Sequence, residues 1–231
     1  MGTLATRTVG ELAEGLVLAA ERYDARRALG VAARLVLGDV AEMVTQTATE
    51  LPRAARVLVL DTSHAAEGFV VVAHGAVPRG SVKGTRRRLR AGDVLLSRLR
   101  PYLRQVAFVD AGLFVDEGGP REVVASPEFY VLRSRGELDV AALVPFLLSE
   151  GVQAALAAAQ EGGHHPRVGA EALLALPVPD ALVEAGPRLA AEVRADADAV
   201  RAASLAGRRR SAEVEALLRD LRPATSPSPT R

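Results

Sequence analysis

Gly92-Asp93-Val94-Leu95-Leu96-Ser97-Arg98-Leu99-Arg100-Pro101-Tyr102 holds the pattern on which the reading of this chain turns. Gly-Asp supplies a turn, Val-Leu-Leu-Ser an apolar run, and Arg-Pro-Tyr a second turn, so the stretch reads as a short strand bounded at both ends. Side chains on a strand alternate between its faces. A strand from Asp93 to Arg100 puts Val94, Leu96, Arg98 and Arg100 on one face and Asp93, Leu95, Ser97 and Leu99 on the other. Two arginines then project side by side at its end. Residues 105–109, Gln-Val-Ala-Phe-Val, follow as a paired strand.

Outward from this pair, Val57-Leu58-Val59-Leu60 and Phe69-Val70-Val71-Val72 are short β-type runs beside turn residues, and Phe129-Tyr130-Val131-Leu132 is a further strand. Residues 8–33 read as helical, interrupted at Arg22-Tyr23-Asp24, and residues 141–160 return to helical spacing with a break near Glu150-Gly151. After Pro187 one helical pattern runs to Leu221; proline costs little in a first turn, where its missing N–H has no partner to lose. Val193, Ala197, Val200, Ser204, Gly207, Ser211, Val214, Leu218 and Leu221 follow heptad steps along it. Two readings stand. In one, this is an amphipathic helix packed on its own domain. In the other, favoured because about 35 residues is long for one small domain, Val193, Ala197, Val200, Val214, Leu218 and Leu221 meet a partner helix. The divisions are a helical extension over 1–36, an α+β domain of mixed sheet with flanking helices over 37–180, a long coiled-coil-type helix over 181–222, and a Pro/Ser-rich disordered tail over 223–231. No internal repeat is visible.

Composition narrows the function. The 231 residues are 49% hydrophobic and 25% charged, which is globular, and only 3% aromatic, so Ala, Leu and Val fill the core. There is no cysteine, which excludes a disulfide framework and Cys-ligated metals and fits a reducing, cytoplasmic setting. No apolar run reaches the about 18–20 residues of a membrane span, so no membrane partner is expected. The four histidines lack His-x-x-x-His spacing, and His164 and His165 are adjacent in a Gly-Gly-His-His-Pro loop, so no metal site is expected. Asp93 and Glu128 come without the Glu-x-Lys of a nuclease, and nucleophile elbow, phosphate loop and dinucleotide fingerprint are all missing. No catalytic residue and no cofactor is expected, hence no enzyme.

Net charge is +1, but it is unevenly spread. Residues 79–104 hold nine cations and one anion, +8, which leaves −7 for the rest of the chain. Arg86-Arg87-Arg88 reads as a loop knot of positive charge. Such a cluster is either a solvated basic loop in an Arg-biased proteome or a grip for a polyanion, where phosphate neutralisation supplies affinity and Arg reads guanine edges.

The stretch at 92–102, with Val106-Ala107-Phe108-Val109 after it, resembles the target recognition domain of type I restriction-modification specificity subunits. Leu37-Gly38-Asp39-Val40-Ala41-Glu42 resembles that domain's opening, and Ser126-Pro127-Glu128-Phe129-Tyr130-Val131-Leu132-Arg133 one of its strands. The loop over 162–167 and the exit over 173–179 are similar to its closing elements, Glu21-Arg22-Tyr23-Asp24-Ala25 resembles a preamble of some members, and the helix after Pro187 stands where the family has its spacer helix. The family's usual subunit carries two such domains and two helices; this chain has room for one of each and resembles a half-subunit.

The resemblance implies a non-catalytic, sequence-specific subunit on double-stranded DNA. It also implies a partner adenine methyltransferase subunit, a further restriction/translocase subunit, and a homodimer paired through the C-terminal helix. Within that reading Lys83, Arg86, Arg87, Arg88 and Arg90 are phosphate contacts, with Arg104 beside them. Arg98, Arg100 and Tyr102 orient on or read bases, and His164, His165 and Arg167 form a second contact loop. Tyr102 capping an apolar corner, His164 as a loop hydrogen-bond donor, and Arg98 or Arg100 paired internally with Asp93 or Glu128 are the structural alternatives. The competing function is a protein-interaction module of the same fold, docking through its helix without reading DNA.

Overall fold

The computed structural model describes residues 29–72, 74–136, 138–161 and 166–220. Its centre is an antiparallel sheet in the order Ala41–Met43, Phe129–Ser134, Val94–Ser97, Val106–Phe108. Alternation sorts its side chains as the strand pattern requires. Val94, Leu96, Val106, Phe108, Tyr130 and Leu132 face one core, while Leu95, Ala107, Phe129 and Val131 face another. Over the first core lie helices Leu143–Leu148 and Glu150–Ala158, separated at Ser149, whose Oγ accepts from the Val152 N–H and restarts the helix. Over the second lies a mixed sheet in the order Val77–Pro78, Arg56–Leu60, Glu122–Ala125, Arg87–Arg88. It contributes Leu58, Leu60, Val123 and Ala125 to the shared core.

The chain passes between the two sheets at residues 89–93 and again at 126–128. Phe129 pairs with Ser97 and Ala125 with Arg87. The three-residue link at 126–128 therefore brings the Arg87 edge of the mixed sheet and the Ser97 end of the central strand to one end of the molecule. Leu132 and Val94 mark the opposite end.

Several expectations are corrected. The central strand ends at Ser97 and does not reach Arg100. Ser97 Oγ donates to the Leu99 carbonyl (3.1 Å) and accepts from its N–H (3.2 Å), and Arg100 turns to φ +47°, so Arg98 and Arg100 do not share a strand face. Arg87-Arg88 is an edge strand, not a loop knot. Of the helical stretch expected over 8–33, residues 8–28 lie outside the described residues, and 29–33 are irregular, with Gly30 at φ +57° and Leu29 packed on the first core. Leu35–Val36 then pairs with Pro177–Val178, joining the domain's entrance to its exit.

The long helix runs Asp180–Asp220, so Pro187 lies inside it and not at its start. Interior proline costs about 3 kcal/mol, and local packing offsets that. Leu182, Val183, Leu189 and Val193 lie on the first core, Ala190 and Ala197 are buried, and Gly186 admits Leu138 so closely that a Cβ would stand 2.5 Å from its Cδ1. Val193 and Ala197, expected on a partner-facing seam, face their own domain. Three arginines two turns apart latch the helix down. Arg194 pairs with Asp139 (2.6 Å) and lies over the Phe108 ring, Arg201 pairs with Asp110 (2.9 Å), and Arg208 donates to the Val72 carbonyl (2.6 Å). Burial pushes the Asp110 carboxyl up, against the pull of Arg201. Past Arg208 the helix is exposed, with Val214, Leu217 and Leu218 each more than half accessible. Leu221 and the tail lie outside the described residues.

Candidate nucleic-acid interface

The end of the central strand is built by three segments. Arg98 continues the ladder through its N–H to the Glu128 carbonyl (3.0 Å), and its own carbonyl accepts from Val168 N–H (3.0 Å). The hairpin Gln160–Glu161 and Arg167–Val168 is thereby joined to the sheet, and Tyr130 Oη donates to the Val168 carbonyl (2.7 Å). Arg167 grips both Glu128 oxygens, Nε at 3.1 Å and Nη2 at 2.8 Å. That fork holds the Glu128 carboxyl below the usual glutamate range. Arg98 also stands beside Glu128. Its guanidinium lies over the Tyr130 ring, 5.4 Å from the centroid, and its buried Nε has no hydrogen-bond partner, with the nearer Glu128 oxygen 4.0 Å away. Two guanidinium groups thus share one carboxylate.

Next to this cluster the turn Pro101–Leu103 is flanked by Arg100 at φ +47° and Arg104 at φ +51°. Glu67, at φ +43°, pairs with Arg104 (3.3 Å). These are the positive-φ non-glycine residues among those described, and all three meet here. Left-handed backbone at such residues costs of order 1–3 kcal/mol each and concentrates where function requires it. The turn presents Tyr102, 71% exposed, and Leu103, 45% exposed, between two arginines. An accessible aromatic between cations suits stacking and phosphate contact in one place. Tyr102 therefore does not cap an apolar corner.

The structure distributes the other candidates unevenly. Arg86 and Arg87 lie across the 126–128 link at the same end; Arg87 Nη1 donates to the Thr45 carbonyl (3.0 Å), and Arg86 Nε is buried without a hydrogen bond. Lys83 is exposed in the loop leading to them. Arg88 is engaged inside the fold, its fork held by both Glu122 oxygens (3.0 and 2.8 Å). Arg90 is not brought to this end. It stands at the start of the central strand, roughly 13 Å away by strand rise, beside a cavity of about 360 Å³ lined also by Asp93, Arg133, Asp139 and Arg194. Asp93 is buried there and clasped by Arg133 (2.7 and 2.8 Å); of the pairings of Arg98 or Arg100 with Asp93 or Glu128, Arg98 with Glu128 is present, as a 4.0 Å ion pair. His164 and His165 lie outside the described residues; the strands on either side of their loop end at Glu161 and resume at Arg167. Sequence reasoning missed Glu67 altogether; the Glu67-Gly68 pair at a turn was its one local signal.

No known family's sequence model matches the chain, and no curated protein matches it. Solved structures do. The HsdS subunit from Thermoanaerobacter tengcongensis aligns with 84% of this chain and 51% of its own length, at a TM-score of 0.53 and 21% identity. The fold is HsdS-like. A chain from a structure of the type I R-M system, solved for its complex assembly and conformational transition, aligns with 85% of this chain and 50% of its own length, again at a TM-score of 0.53 and 21% identity. The chain thus spans about half the length of these structures, and its mixed sheets and long C-terminal helix form the expected α+β recognition-domain architecture.

Proposed function

We propose that this chain is a non-catalytic DNA-reading subunit of a type I-like restriction-modification system, carrying one recognition domain and directing a partner adenine methyltransferase, with a restriction/translocase subunit as a further partner, to a DNA site. The observation that carries the proposal is the strained, exposed Arg100–Tyr102–Arg104 turn at the cationic end of an HsdS-like fold. In this reading Lys83, Arg86 and Arg87 touch phosphate, Arg98, Arg100 and Tyr102 meet bases, and Arg167 with His164 and His165 forms the second contact. Arg88 holds the sheet and Arg90 lies apart.

Titration of duplex binding against salt tests this. Affinity for a random-sequence duplex falls linearly on a log–log plot, and Lys83→Ala or Arg87→Ala each lowers the slope by about 0.9 while leaving sequence preference intact. Arg100→Ala relaxes preference for duplexes selected from a random pool by about 1–3 kcal/mol. A wild-type chain that retains no duplex at low salt overturns the reading and favours the protein-interaction module.

A homodimer is proposed through the distal helix only, because Val193 and Ala197 are covered. Val214, Leu217 and Leu218, three to four residues apart, form the exposed apolar stripe. A chain ending at Arg208 keeps all three arginine latches, and sedimentation is expected to find it monomeric where the full chain is dimeric. Equal masses for the two remove the helix from the assembly.

A further inference from the structure

Two guanidinium groups face the Glu128 carboxylate, and only one of them is hydrogen-bonded to it. Arg167 takes both carboxylate oxygens, and Arg98 keeps a buried Nε that stands 4.0 Å from Glu128 Oε2, an ion pair too long to be a hydrogen bond. A buried donor without a hydrogen bond is costly. Arg98 cannot easily retreat, since its backbone is bonded on both sides, to Glu128 and Val168, and its guanidinium is seated on Tyr130. Arg167 is paired along its backbone too, to Glu161 and to Leu99, but its side chain is 39% exposed and carries the fork that already binds a two-oxygen edge. A phosphate offers that fork the same two-oxygen edge that a carboxylate does.

From this, and resting on the DNA-binding reading above, we infer that Glu128 is a positioning residue that couples phosphate contact to base contact. In the free protein Glu128 occupies Arg167. On DNA a phosphate takes Arg167 in its place, and Glu128 closes the short gap to Arg98 Nε, which satisfies the orphaned donor and fixes the direction of the base-reading guanidinium. In the free protein the Arg167 fork, with Arg98 beside it, holds Glu128 in its charged form. The exchange breaks one bidentate pair and makes another, with no change in total charge.

Three variants separate this coupling from a purely structural staple. Glu128→Gln removes the competitor of the phosphate and the anchor of Arg98 together. A random-sequence duplex is then bound about 5-fold tighter, the scale of one surface ion pair. The ratio of selected-site to random affinity falls roughly 10-fold, the scale of one lost base contact. A staple alone would weaken both duplexes in parallel. Glu128→Asp keeps the charge, and its random-duplex affinity stays near wild type; an increase as large as that of Glu128→Gln overturns the inference. Arg167→Gln covers the case in which Glu128→Gln does not fold. It leaves Glu128 to Arg98 permanently, so binding to every duplex weakens, the salt slope drops by about 0.9, and the selected-to-random ratio is kept. Loss of that ratio in Arg167→Gln overturns the inference. Wild-type binding with these outcomes reversed refutes the coupling alone, whereas absence of wild-type binding refutes the functional reading beneath it.

Discussion

Asp93→Ala is expected to lower the free energy of unfolding by about 3 kcal/mol, the lower part of the range for breaking a buried ion pair from one side. The Asp93 side chain is 1% exposed and accepts both arms of Arg133, which is itself only 19% exposed. One of the same oxygens accepts from the Arg90 N–H (2.7 Å), closing the turn that feeds the central strand. Removing the carboxylate leaves a guanidinium largely out of water with no counter-charge and leaves the turn without its cap. Urea unfolding measures the loss as a lower midpoint at unchanged slope. Asp93→Ala combined with Arg133→Met should recover much of the stability, because a neutral, apolar pair has no charge left to strand. If the single variant loses less than about 1 kcal/mol, solvent already screens Arg133 and the pair is worth no more than a surface one.

Phe129→Ala is expected to cost about 4 kcal/mol, in the range for truncating a fully buried aromatic. Phe129 is 1% exposed and sits where the two sheets meet, in the core with Leu58, Leu60, Leu95 and Val131. It also carries the backbone pairing with Ser97, next to Glu128. In a chain of this size the loss corresponds to a melting temperature lower by roughly 10 °C. A drop of only one or two degrees would mean that the sheets close over the gap, and that the core between them is softer than its burial implies. The position also ties stability to function, since the cavity would open directly beneath the link that sets Glu128 against Arg98 and Arg167.

The strands could be read because their side chains do two jobs that leave a trace in sequence. Val94, Leu95 and Leu96 are all buried, yet they alternate between two cores, and the turn residues around them mark where the run must stop. The helix break expected near Glu150-Gly151 falls next to it, at Ser149, whose side chain caps the second helix while Gly151 lies within it. What escaped was decided by distant parts of the chain. Pro187 looks like a beginning because the rule for proline is local, while the contacts that carry the helix back to Asp180 come from Leu138 and the first core. The basic segment looked like a single patch because charge can be counted without knowing partners. Folding gives Arg88 to Glu122, 34 residues on, and sends Arg90 to the far end of a strand, while Arg167, from outside the segment, joins its Arg98 at Glu128. Arg98, Arg100 and Tyr102 could be named from the sequence as candidates; the carboxylates beside them, Glu128 at Arg167 and Glu67 as counter-ion to Arg104, follow only from pairings between distant segments.

The arginine latches at positions 194, 201 and 208 fix the azimuth of the helix as well as its place on the domain. An α-helix turns about 700° in seven residues, so inserting one heptad after Arg208 advances the tip by about 10.5 Å while rotating it by only about 20°. Inserting five residues instead swings Val214, Leu217 and Leu218 by about 140°, to nearly the opposite side. The reach of the protruding tip can therefore be lengthened in whole-heptad increments without redirecting what it presents, and the phase of that surface is inherited from the last latch.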